Sequence, residues 1–160
     1  MSQRDRLLGR RLPPTPVRIR IDYTTPGVNG LVAALASARA AADADTDEGQ
    51  SRILAAEAAT APYFEVLLVA GIPPDRYDEL VSEHQPTDEA RKAGHQWATS
   101  FVPALLAACI GQDAVDPMSE KDWIEWMRIP GAAASGEITL LFQTCLDVND
   151  RSPDVMVGKG

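Results

Sequence analysis

The sequence is poor in the features that mark membrane, secreted and metal-binding proteins. It has no run of about 18 apolar residues, the length that a membrane-spanning helix needs. Its two cysteines, Cys109 and Cys145, are too few for a disulfide framework, and we expect buried, reduced thiols. Its two histidines, His84 and His95, lie in no HExxH motif and beside no CxxC pair. The sequence therefore predicts no membrane association, no metal and no cofactor.

Catalytic motifs are missing as well. The chain contains no GxxxxGK[ST] and no GxGxxG, and the terminal GKG leaves no room for the helix that a phosphate-binding loop requires. Ser100 and Ser119 precede predicted helices, where a serine caps the helix rather than acting as a nucleophile. Acidic residues scatter over polar helix faces, so no acid–base pair stands out. We expect a protein that is not an enzyme, with His84 at a helix end on the edge of the core.

The charge is unevenly distributed. Residues 1–20 hold six arginines and one aspartate, a net charge of +5, so the total of −8 leaves −13 for residues 21–160. An acidic body argues against nucleic-acid binding, which needs a basic surface to displace counterions. Residues 1–16 show no sustained periodicity and contain three prolines. They are interpreted as a flexible basic arm that is solvated or docks on the acidic body, with an acidic partner or a phosphate backbone as alternatives. Residues 150–160 are interpreted as a flexible tail.

Two short segments have the pattern of β-strands. From Val17 to Tyr23, apolar Val17, Ile19 and Ile21 alternate with charged residues, which is typical of a half-buried strand. The second candidate is the apolar run from Tyr63 to Val69. Because a lone strand is unstable, we expect the two to pair, in an orientation that the sequence leaves open.

The segment from Gly30 to Ala61 is dominated by alanine, the best helix former. The acidic cluster from Asp43 to Gln50 divides it, so we predict two helices joined by an acidic turn. Few large apolar side chains project from this hairpin, and it cannot form a core alone. Its larger apolar residues are therefore candidate partner-binding residues: Leu31, Leu35, Ile53 and Leu54.

The segment 63–149 is predicted to form the core from short helices. The fold class is mainly α (α+β): a compact bundle of short helices with one small two-stranded β element and an Ala-rich helical hairpin. We interpret 17–149 as a single α-rich domain, with the hairpin at 30–61 and the core at 63–149. Five residues are expected to be largely buried: Leu105, Leu106, Trp123, Phe142 and Leu146. Trp97 and Trp126 are further candidate partner-binding residues.

Several motifs together resemble a known family. In chain order they are an Arg-rich opening, VRIRID, the acidic Ala-rich pair, YFEVLL, PPDRYDELVSEHQPTDE, FVPALLAAC and LFQTCLDVN. This order resembles the tail assembly chaperones of long-tailed bacteriophages, especially those that infect actinobacteria. The resemblance covers nearly the whole chain, and RYDELVSEHQPTDE and FVPALLAAC are its most specific parts. Val102 departs from it, where a second proline is expected, and so does the longer IPGAAASGE linker.

The resemblance implies a non-catalytic role in virus assembly. Such a chaperone coats the helical tape-measure protein in the host cytoplasm while the tail tube polymerises, and is absent from the mature virion. The tail tube protein and further copies of the chain are additional candidate partners. The resemblance also implies a programmed frameshift, for which Gly158-Lys159 is the candidate position because a G-run followed by an A-run can encode these two residues; the alternative is an ordinary frayed terminus. The alternative is a structural virion protein, such as a head–tail connector or another minor tail component.

Overall fold

A computed structural model describes residues 1–112 and 114–150, and it is mostly helical with one small antiparallel sheet. This confirms the predicted α+β class. The elements, in chain order, are α1 (Gln3–Leu8), β1 (Thr15–Arg20), α2 (Val28–Ala40), α3 (Asp47–Thr60), a 3₁₀ turn (Ala61–Tyr63), β2 (Phe64–Val69), α4 (Pro74–Glu83), α5 (Asp88–Lys92), α6 (Phe101–Cys109), α7 (Glu120–Arg128) and α8 (Ser135–Asn149).

The chain forms two compact units. One consists of residues 1–17 together with residues 68 onward, and the other of residues 18–67. The sequence was interpreted as a single domain over 17–149. In the structure, the predicted hairpin belongs to a separate unit, which also contains residues 18–20 of β1 and 64–67 of β2.

The two strands pair with each other, as predicted, and run antiparallel. Just beyond the end of β1, the backbone N–H of Ile21 donates to the carbonyl oxygen of Tyr63 at 2.9 Å, at the start of β2. Ile21 was predicted to share the buried side of the strand with Val17 and Ile19, and this is wrong, because its side chain is 60% exposed. The reason is that β1 ends at Arg20 and the chain turns there.

The helical hairpin of the second unit matches the prediction, with α2 and α3 joined by residues 41–46. Thr46 caps α3 by accepting a hydrogen bond from the backbone N–H of Gly49 at 3.1 Å. A Cβ on Gly49 would lie 1.9 Å from the carbonyl oxygen of Asp43, so only glycine fits this turn. Across the hairpin, Arg39 and Glu57 form an ion pair at 2.8 Å.

The central element of the first unit is α6, which packs against α4, α7 and α8. Its residues Phe101, Leu105, Leu106 and Cys109 are all fully buried. Two of these, Leu105 and Leu106, were predicted to be buried, and the structure confirms this. The sequence FVPALLAAC is apolar all round, and a helix of this kind is expected to lie inside a bundle.

The flanking helices contribute a buried tryptophan and a buried row of smaller side chains. Trp123 on α7 is 2% exposed, as predicted. On α8, Cys145 is buried as predicted, but Phe142 and Leu146, which were also expected to be buried, are only half-buried. The buried residues of this helix lie at i, i+4 and i+7, and they are Leu141, Cys145 and Val148.

Both ends of the sequence carry further predictions. The segment 1–16, interpreted as a flexible arm, contains the short helix α1, which begins with a capping box between Ser2 and Asp5 and has no buried residue. At the other end, the flexible tail was predicted for 150–160. All of it except Asp150, together with the candidate frameshift position, Gly158-Lys159, falls in residues 151–160, which lie outside the described residues.

Candidate functional site

A groove of about 410 Å³ lies between α4 and α6 in the first unit. Its floor is apolar, with Leu80 of α4 facing Ala104, Ala107 and Ala108 of α6. The three alanines fall at i, i+3 and i+4, so they share one face of the helix. Because alanine is small, this face leaves a hollow beside α4 that larger residues would fill.

The rim of the groove is charged and carries both signs. It contains Arg76, Glu83 and Glu120, together with His84 and Gln112. Arg76 makes ion pairs along α4 with Glu79 at 3.0 Å and with Glu83 at 3.8 Å. These pairs are about half exposed, and exposed pairs contribute little to stability. The rim is therefore free to re-pair with charges on a binding partner.

One end of the groove is fixed by a hydrogen bond between His84 and Ser100. The imidazole Nδ1 and the hydroxyl Oγ are 2.8 Å apart, and Ala98 N–H donates to the His84 carbonyl oxygen at 2.9 Å. Ser100 lies at the N-cap position of α6, as predicted, but its hydroxyl pairs with His84 and makes no cap hydrogen bond. The pair ties the end of α4 to the start of α6.

The His84–Ser100 pair joins a hydroxyl to an imidazole, as in a nucleophile–base pair, but in the described part of the chain it lacks a third group that would orient the imidazole. Within residues 1–112 and 114–150, no carboxylate is hydrogen-bonded to the imidazole, so nothing orients it as a base. The ring instead lies 6.1 Å from the ring of Phe101. Its evident role is to hold the two helices at the spacing that leaves the groove open.

An aromatic cluster supports the first turn of α6. Trp97 stacks on Phe101 with ring centroids 5.4 Å apart, and Phe142 meets both rings edge-on at 5.7 and 5.9 Å. Such contacts contribute about 0.5–1.5 kcal/mol per pair beyond their buried area. Trp97, a candidate partner-binding residue, is thus half-buried in the protein's own aromatic cluster.

Behind α6, the two cysteines and Asn149 form a buried polar cluster. The Nδ2 of Asn149 donates to Cys109 Sγ at 3.3 Å and to the Cys145 carbonyl oxygen at 2.8 Å, and its Oδ1 accepts from Ile72 N–H at 3.0 Å. Hydrogen bonds from Cys145 and Asn149 lower the pKa of the Cys109 thiol, whereas the bond to Cys109 and burial raise that of Cys145. Both thiols are free and fully buried, as predicted, which makes them structural rather than reactive.

The six candidate partner-binding residues differ in how much surface they offer. Leu54 is 64% exposed, whereas Leu35 is only 8% exposed and belongs to the core of its own unit. Trp126 is half-buried and packs edge-on to Trp123 at 5.6 Å. The remaining three are half-buried too: Leu31, Ile53 and Trp97. Their contact with a partner stays a prediction.

Of the residues that line the groove, the sequence analysis singled out only His84, as a helix-end residue on the edge of the core. The available signal was the alanine spacing at positions 104, 107 and 108 within an otherwise large and apolar helix. Position 76 on the rim gave no signal, because an arginine on a polar helix face is ordinary.

Comparison of the chain with protein-family models, with curated proteins and with solved structures found no match in any of the three. Within residues 1–112 and 114–150, no group of three or more histidine, cysteine, aspartate or glutamate side chains could hold a metal ion. In that same part of the chain, no helix is both long enough and apolar enough to cross a bilayer.

Proposed function

We propose that the protein is a tail assembly chaperone of a long-tailed bacteriophage and that the α4–α6 groove binds the apolar face of a helix in the tape-measure protein. It acts in the host cytoplasm, keeps the rod soluble while the tail tube polymerises, and leaves before the virion is complete. It performs no chemistry on its partner.

The observation that carries this proposal is the groove. An amphipathic helix commonly docks by laying its apolar side chains into a hydrophobic groove between two helices. The alanines of the floor allow such a helix to approach closely, and Leu80, only 3% exposed, packs beside them. The charges of the rim suit a partner whose polar flanks carry both signs.

The net charge of the chain suits a protein that keeps the tape-measure protein soluble. With a net charge of −8, copies bound along one rod repel each other and neighbouring complexes, which keeps the assembly dispersed. A single groove of this size supports only modest affinity, so each copy can dissociate. Many copies along one rod then supply the strength of the coat through avidity.

The test is co-expression with the tape-measure protein and measurement of how much of the rod stays soluble. The variant Ala107→Glu places a carboxylate on the apolar floor, where docking would bury it unpaired. We expect this to weaken binding by about 2 kcal/mol or more, or roughly 30-fold in Kd. The control is Leu140→Glu, which adds the same group at a half-exposed position on α8 outside the groove.

Two outcomes would contradict the proposal. If Ala107→Glu keeps its fold by circular dichroism and still solubilises the rod as well as Leu140→Glu does, the groove is not the contact. If mass spectrometry of purified virions finds the chain at a fixed stoichiometry, it is a structural component such as a connector.

The proposal includes a longer product made by frameshifting at Gly158-Lys159. The codons of these two residues test it first, since slippage there requires a G-run followed by an A-run. If the run is present, silent changes that interrupt it should remove a longer band detected with an antibody against the N-terminal half, and leave the 160-residue chain unchanged.

A further inference from the structure

The N-terminal segment, residues 1–12, is cationic and apolar at once. It contains four arginines and one aspartate, a net charge of +3. Leu7, Leu8 and Leu12 are 63%, 61% and 53% exposed, and α1 has no buried residue. Within residues 1–112 and 114–150, none of its arginines takes part in an ion pair. Its charges and its leucines are thus both available for a partner.

A surface of the opposite character lies on α3. Asp47, Ser51, Leu54 and Ala58 fall at i, i+4, i+7 and i+11, and all four are exposed. These residues define the α3 face, on which Leu54 is 64% exposed. The hairpin from 28 to 60 holds five acidic residues and two arginines, a net charge of −3. In the described part of the chain Asp47 forms no ion pair.

The two surfaces are opposite in charge, and each carries at least one exposed leucine. On α1, Arg4 lies one turn before Leu7 and Leu8, about 5–6 Å along the helix. On α3, Asp47 lies about 10 Å before Leu54 on the same side of the helix. A contact between leucines that is flanked by opposite charges gains apolar burial and has its orientation set by the charges.

We propose that the N-terminal segment of one copy docks on the α3 face of a second copy. Because the two surfaces differ, the contact is heterologous, and each docked pair still has one free segment and one free α3 face. Further copies therefore add head to tail. The contact requires no tape-measure protein, so it stands or falls independently of the function proposed above.

Sedimentation velocity across a range of concentrations tests the contact. In about 50 mM salt, the weight-average mass should rise with concentration from the 17.2 kDa of one chain to twice that value and beyond. In about 500 mM salt the mass should stay near that of one chain, because the charges are screened. The double variant Leu7→Gln/Leu8→Gln and the single variant Leu54→Gln should each remain monomeric. The control Leu140→Gln, at an exposed leucine on α8, should associate like the unaltered chain.

Mixing the two defective variants gives the decisive measurement. One retains the α3 face and the other retains the N-terminal segment, so the mixture can form a single contact and should stop at a 1:1 dimer. The proposal is overturned if the mixture stays monomeric or if either variant alone still associates. It is also overturned if the unaltered chain is monomeric throughout while Leu7→Gln/Leu8→Gln enlarges its Stokes radius, since the segment would then dock on its own copy.

Discussion

Replacing Asn149 by alanine should destabilise the first unit more than its half-buried position suggests. The side chain accepts from Ile72 N–H at 3.0 Å and donates to Cys109 Sγ and to the Cys145 carbonyl oxygen. It thus joins three segments: the chain after β2, the end of α6 and the last turn of α8. Alanine removes all of these bonds and leaves the part-buried N–H of Ile72 without an acceptor.

The expected magnitude follows from these bonds. An orphaned, part-buried donor costs about 1–3 kcal/mol, whereas a typical bond that is simply lost costs about 1 kcal/mol or less. The hydrogen bonds from Asn149 to Cys109 Sγ and to the Cys145 carbonyl oxygen, which also accepts within its helix, are of the second, less costly kind. We therefore expect a loss of about 1.5–3 kcal/mol for Asn149→Ala, which lowers Tm by about 4–10 °C in a chain of this size.

Thermal and urea unfolding, followed by circular dichroism, measure this loss. Asn29→Ala on α2 is the matched control and should stay within about 0.5 kcal/mol, because Asn29 is exposed. Asn149→Asp keeps an acceptor for the Ile72 N–H but places a carboxylate oxygen against the Cys145 carbonyl oxygen. Because the two oxygens repel each other, the pKa of the new aspartate should rise above the usual aspartate value. This variant should gain stability as the pH falls through that raised pKa. The reasoning fails if Asn149→Ala melts within 1 °C of Asn29→Ala.

Three further predictions concern the core, the hairpin and the helix caps. Leu105→Ala, at a fully buried position, should cost about 2–5 kcal/mol in urea unfolding, and an unchanged midpoint would contradict the assigned core. Gly49→Ala should destabilise the hairpin by about 1–3 kcal/mol or more, because its methyl group would lie 1.9 Å from the Asp43 carbonyl oxygen. Amide hydrogen exchange should become faster in α2 and α3 and stay unchanged in α6. Hydrogen bonds from Ser119 lower the pKa of Asp122, so the stability that this cap contributes is full above the usual value of 3.8 and is lost as pH falls through the lowered pKa. Asp122→Asn should flatten that part of the pH–stability curve, and an unchanged curve would exclude the cap as its source.

Local patterns in the sequence predicted the helices well, because their signals lie within a few residues of each other. Ser119 caps α7, as its place before a predicted helix indicated, and it forms a capping box with Asp122. The hairpin and the pairing of the two strands followed from alanine content and from the instability of a lone strand. The helix cap and the hairpin each needed only the chemistry of one segment, and the strand pairing needed only the presence of two strand candidates.

The errors occurred where a distant segment decides the outcome. Ser100 makes no cap hydrogen bond, because its hydroxyl pairs instead with His84, 16 residues earlier. The buried row of α8 includes Val148 rather than Leu146, because contact with α6 sets the rotation of that helix and not its own periodicity. The groove itself depends on α4 and α6, which residues 84–100 separate in the sequence, so no single stretch of sequence could reveal it.

The division into two units has a spectroscopic consequence. All three tryptophans lie in residues 68–160, while residues 18–67 contain tyrosine but no tryptophan. Tryptophan fluorescence therefore reports only on the first unit, in which Trp123 is almost completely buried. The hairpin contributes no tryptophan signal. Far-ultraviolet circular dichroism sees the helices of both units. Superimposable melting curves from the two signals would mean that the units unfold together, and separated curves would give each unit a stability of its own.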